Sequence, residues 1–211
     1  MIVELQEHID IFRAEAYPVI DSWCSDAVAQ LGTGCREGCA YCCRNLVTMT
    51  LIEAMVILRN PVGRAAFEAK VFQVGELAFK FFRRDADTTL AKWRARNERC
   101  LFLGECERCV VYDVRPFNCR THIAAKPCEE NQAGNLYIDP QQGTTLSLVL
   151  CQKAEQITGV PMAIAPMPVA LLLAAEIMRN GLEYVKWRYE RTPFMDSLMA
   201  AEYWAYIELE A

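Results

Sequence analysis

Four cysteines crowd the short stretch CREGCAYCC, as Cys35, Cys39, Cys42 and Cys43. Three and then two residues separate the first three, a spacing that lets their thiolates reach one centre. Thiolates are soft ligands that select zinc, copper(I) or iron-sulfur clusters, and four per centre is the usual closed set. A second stretch supplies Cys100, Cys106, Cys109, Cys119 and Cys128, with His122 three residues after Cys119. Cys151 opens a later helical pattern and can approach the same centre, whereas Cys24, alone on the first helix, reads as a core residue.

Bundled thiolates carry charge that must be compensated: a 4Fe-4S centre with four cysteines is about -2 overall, and two four-thiolate zinc sites total about -4. Arg36, Arg44, Arg99, Arg108, Arg115 and Arg120 all lie beside or near cysteines. Guanidinium groups suit hydrogen bonds to sulfur, although about half of such arginines are expected to be solvated surface groups.

The elements that must position these residues are read as helices. Eleven cysteines among 211 residues need a chemical reason. In a reducing compartment they point to metal or redox chemistry, and the odd count and the adjacent Cys42 and Cys43 fit a disulfide framework badly. The N-terminus lacks a basic start followed by an apolar run, so a cytoplasmic location is expected. Net charge is -5, which argues against a nucleic-acid partner. Thr158 to Ala175 resembles a membrane span, but Pro161, Pro166 and Pro168 interrupt it, and a buried loop and helix is expected instead of a membrane segment.

Apolar residues at Ile9, Phe12, Ala16, Ile20, Trp23, Ala27 and Leu31 predict a helix from Val3 to about Leu31, interrupted near Pro18 and ended by Gly32 and Gly34. Thr48 or Thr50 caps a second helix, stopped by Pro61. From Arg64 to about Asn97 one or two longer helices turn Phe67, Val71, Val74, Leu77, Ala78 and Phe81 inward. Short strands are expected at Val110 to Tyr112 and Leu136 to Ile138. Helices follow over Thr145 to Ile157, Pro168 to Asn180, Gly181 to about Arg191, and Pro193 to Glu210. The expected fold is mainly α, one domain over 1–211: a helical body with two irregular cysteine-rich loops converging on a metal site, and a few short strands. The cysteine region spans about 35–151 and the helical C-terminal part about 165–210.

At CREGCAYCC and CLFLGECERCVVYDVRPFNCR the chain resembles the YkgJ-like cysteine-cluster family (CxxCxxCC), described as zinc or iron chelators. The second string carries the family's pattern as Cys109, Tyr112, Arg115, Pro116, Cys119 and Arg120. The resemblance implies Cys35, Cys39, Cys42, Cys43, Cys100, Cys109 and Cys119 as metal ligands, with Cys128 or Cys151 as further candidates. The chain departs from the pattern in two places: three residues rather than two separate the first cysteines, and Cys106 is additional. Flagellin lysine methylases share a related motif, but no Gly-rich methyl-donor segment accompanies it here.

These features lead to a metal-binding protein, with a 4Fe-4S cluster favoured over zinc, acting in redox chemistry or in cluster-dependent modification of a peptide or small molecule. A non-catalytic, zinc-stabilised interaction or metal-handling module with a protein partner is the other reading. CREGCAYC taken alone also has the spacing of radical S-adenosylmethionine enzymes, but a helix precedes it and no alternating strand-helix series follows.

Overall fold

Helix α1 (Ile2–Leu31) turns Ile9, Phe12, Ala16, Tyr17, Ile20 and Cys24 into the core at three- and four-residue spacing. This computed structural model describes residues 2–36, 38–82, 98–124, 127–128, 152, 156 and 164–189. Contrary to the sequence expectation, α1 runs through Pro18 without a break. Pro18 lies on the exposed side, and buried residues on both sides of it hold the helix on the core despite the lost amide. Gly32, at φ +76°, takes the left-handed conformation that ends the helix.

Strand β1 (Thr48–Thr50) leads directly into α2 (Leu51–Arg59). Thr50 is the cap: its hydroxyl accepts from the Glu53 amide at 3.1 Å, and the Glu53 carboxylate accepts from the Thr50 amide at 2.8 Å. Every residue from Leu51 to Leu58 is buried, as suits a helix apolar all round. Asn60 and Pro61 then end α2 and start α3 (Pro61–Ala69), with the Asn60 side chain accepting from the amides of Val62 and Gly63. α3 comes so close to the end of α2 that a Cβ on Gly63 would lie 2.4 Å from the Ile57 carbonyl oxygen.

Helix α4 (Val71–Phe82) buries Val74 and Ala78 and half-buries Leu77. Val71, expected inward, is exposed, and its neighbour Phe72 more so. The inward set falls at 74, 77 and 78, and Val71 sits at the entry turn, beyond the cover of the packed face. The Phe81 side chain and the expected helix at Pro193–Glu210 lie outside the described residues, as does that at Thr145–Ile157 apart from Gln152 and Gln156, which are helical.

The only strands among the described residues are β1 and β2 (Ile164–Pro166), paired antiparallel with Thr48 opposite Pro166 and Thr50 opposite Ile164. Val110–Tyr112, expected as a strand, is a turn that enters the 3-10 turn Tyr112–Val114. Its β-branched residues serve as anchors, with Val111 and Val114 buried, rather than as a ladder. Leu136–Ile138 lies outside the described residues.

After β2 comes α6 (Met167–Asn180), numbered to follow the one-turn helix α5 (Phe117–Arg120), and then α7 (Leu182–Tyr189). The central packing is α6 against α2 and α4, with Val169, Ala170, Leu171, Leu173, Ala174 and Ile177 fully buried. The fold is mainly α, as the apolar periodicity predicts. No helix among the described residues is long and apolar enough to cross a membrane.

Candidate metal centre

The first cysteine loop leaves α1 at Gly32 and tightens into the 3-10 turn Cys42–Arg44, where the Cys43 amide donates to Ala40 at 3.1 Å and the Asn45 amide to Cys42 at 3.1 Å. The second begins at Cys100. Val110 donates to Phe102 and Gly104 to Arg108, closing a small loop with Cys106 exposed at its tip and Cys109 paired across from Leu103. Phe102, Val111, Val114 and Phe117 anchor this segment in the core. The one-turn helix α5 then presents Cys119 and Arg120.

Two backbone bonds join the loops: the Cys100 amide donates to Cys43 at 2.7 Å and the Gly34 amide to Ala124 at 2.7 Å. The loops therefore converge, as the sequence predicts. Around the first junction, Cys42, Cys43, Cys100, Cys109 and Cys119 lie within reach of one another's charge. A hydrogen bond links the Cys42 and Cys43 side chains, so the pair gives up a first proton below the ordinary thiol value and holds the second far above it. Burial pushes Cys100 up to about 11, with the charges of Cys109 and Cys42 adding to it. Burial likewise raises Cys109, and raises Cys119 further, where the neighbouring thiols reinforce it. Crowded, half-buried thiols lacking enough counter-charge keep their protons, and a bound cation supplies that charge and takes them as thiolates.

The other sulfurs differ in exposure. Cys35 is exposed, and its Sγ accepts from the Ala124 amide at 3.3 Å, which ties it to the end of the second loop. Cys39 and Cys128 are half-buried, and Cys106 is exposed. Cys151 lies outside the described residues. Cys24 is a buried α1 residue, as expected, and its thiol donates to the Arg120 carbonyl at 3.6 Å. Among the described residues, no group of three or more His, Cys, Asp or Glu side chains stands arranged to hold a metal ion. Ligation by the five clustered thiols therefore requires side-chain rotation, which breaks the Cys42 to Cys43 bond. The donor set is all sulfur, which fits zinc or iron.

The two arginines of the second loop do different work. Arg115 stacks 3.7 Å over the Tyr112 ring, and its positive charge eases ionisation of Cys42, Cys109 and Cys119. Arg120 is buried and clamped: it donates to Asp21 at 2.5 Å, to the Arg115 carbonyl at 2.9 Å and to the Asp113 carbonyl, and stacks 4.0 Å from the Tyr17 ring. Its role is to hold the turn that carries Cys119.

Two residues missed from the sequence complete this scaffold. Tyr17 forms the floor beneath Arg120. Glu53, wholly buried, receives the Phe117 amide besides both Thr50 donors, which fastens α5 to the start of α2. The Thr-x-x-Glu spacing signals the capping box, but nothing local signals the bond to Phe117.

A cleft of about 350 Å³ opens beside the centre, lined by Lys70, Gln73, Glu76, Glu98, Arg99 and Cys100 among others. The Lys70 ammonium donates to the Leu101 carbonyl at 2.9 Å, and Arg99 pairs with Glu107 at 2.6 Å.

Residues 34–139 match the family model CxxCxxCC, "Putative zinc- or iron-chelating domain". The chain belongs to this family. The match covers both loops, from Cys35 through Cys128, and leaves Cys24, Cys151 and the α6 helix outside it. No curated protein and no solved structure matches the chain.

Proposed function

We propose that the chain chelates iron as a 4Fe-4S cluster between its two loops, through ligands drawn from Cys42, Cys43, Cys100, Cys109 and Cys119. Cys35, Cys39, Cys128 and Cys151 remain further candidates. The observation that carries this reading is the convergence of five half-buried thiols on one junction beside Arg115, whose charge suits an anionic cluster. The bound group would serve redox chemistry or modification of a small molecule or peptide in the cytoplasm, the arginines and the cleft beside Cys100 offering polar contacts.

Zinc is the second reading, favoured by the way the second loop is built. Among the described residues it has only short turns of its own, which is the condition in which a closed zinc site contributes folding energy and presents a surface to a partner. The radical S-adenosylmethionine reading draws no support from the fold, since the described strands form one antiparallel pair.

Anaerobic purification with metal and sulfide analysis and a visible spectrum decides between the two. A brown, oxygen-sensitive protein with iron and sulfide in equal amounts is expected. A colourless protein holding stoichiometric zinc overturns the cluster and leaves the zinc module.

A further inference from the structure

Met167 stands at the start of α6, outside the family match, with its side chain against the thiol junction. The Cys100 thiol donates to its Sδ at 4.0 Å. Its amide donates to the Val47 carbonyl at 2.8 Å, just beyond the first loop, while the Cys100 amide donates to Cys43. Two backbone bonds thus fix Met167 and Cys100 against the same loop. With metal-sulfur bonds of about 2.3 Å, two sulfurs on one ion are about 3.8 Å apart in a tetrahedral site and about 4.0 Å apart in a trigonal one. The two sulfurs already have the separation of ligand neighbours.

We infer that the Met167 thioether is a further donor at the Cys100 corner, and that in the protein without a cluster this corner binds copper(I). The inference rests on the reading that the clustered thiols bind metal. A thioether is neutral and soft, with little affinity for zinc and a clear preference for copper(I). Cys109 and Cys42 are the thiols whose charges act on Cys100, and side-chain rotation would bring one of them in to complete a trigonal sulfur set. Met167 is a buried core residue, and apolar packing accounts for its volume. Leucine would fill the same space, so packing alone does not call for sulfur facing sulfur. Cys100 also forms part of the cleft wall, which gives an ion in solution access to this corner.

The test is anaerobic titration of the reduced, metal-free full-length protein with copper(I) in competition with bathocuproine disulfonate, for wild type and Met167→Leu. A parallel zinc titration uses a chromophoric zinc chelator. The substitution conserves volume and should cost less than about 1.5 kcal/mol of stability. It is expected to weaken copper(I) binding by at least about tenfold while zinc binding is retained. Equal copper(I) affinity in both proteins overturns the inference and leaves metal chelation standing. A wild type that binds neither zinc, iron nor copper(I) overturns chelation itself, and the inference with it. Should Met167→Leu fail to fold, selenium-edge absorption of copper-loaded selenomethionine protein decides: a selenium-copper path supports the donor, and its absence overturns it.

Discussion

Among the cysteines, position relative to the loop junction sets the order of the ligand candidates. Cys119 is held on a turn clamped by Arg120 and senses three other thiols, whereas Cys106 projects from a loop tip into solvent. Cys119→Ser should therefore remove most of the bound metal, and Cys106→Ser should leave metal content unchanged, as elemental analysis of the purified variants would show. Arg115 is the cation whose charge favours the ionised thiols, so its loss has a measurable pH signature. In metal-free protein, the first proton of the Cys42 and Cys43 pair leaves below the ordinary value of 9.0, and alkylation of this pair should start below that pH. Arg115→Gln should move that onset upward, read by peptide mass spectrometry across a pH series. Sequence alone placed both arginines in one supporting role. Their division of labour depends on which of them faces Asp21 and Tyr17, two α1 residues far away in sequence.

At the level of helices and strands, Glu53 is the joint between α2 and α5. Glu53→Gln puts an amide group among donors that need acceptors, and should cost about 1–3 kcal/mol in denaturant unfolding. Burial raises the pKa of Glu53 above 4.5, partly offset by the bonds from Phe117 and Thr50. A raised carboxyl contributes stability that is complete below the unfolded value and declines as pH rises through the folded one. Unfolding free energy should thus fall as pH climbs from about 4.5, and Glu53→Gln should flatten that slope. Gly63→Ala forces α3 away from the Ile57 carbonyl and should cost about 1–3 kcal/mol. Helices were legible because their signals are local: apolar spacing, the Thr50 cap and Pro61 as a stop. The strands were not. Val110–Tyr112 has the composition of a strand without a partner, while Thr48–Thr50 and a segment ending in Pro166 pair because distant chain segments meet. Tyr17 went unnoticed because Ala16 and Ile20 already account for the α1 apolar repeat.

For the molecule as a whole, two loops with little regular structure are held together by two backbone bonds and the core, so bound metal and folding should be strongly linked. Stripping the metal should lower the melting temperature: metal at a thousand times its dissociation constant is worth about 4 kcal/mol, or roughly 8–16 °C for a chain of this size. Differential scanning calorimetry with and without chelator would check this. The pairing of β1 with β2 also carries a consequence for biosynthesis. Met167 follows Cys43 by 124 residues, so at about 5–20 residues per second the ribosome needs roughly 6–25 s to deliver the second half of the ribbon and the start of α6. Throughout that interval the early thiols have no closing partner strand above them and are open to oxidants and to the wrong cation. Closure of the centre by β2 and the start of α6 therefore cannot precede synthesis of Met167.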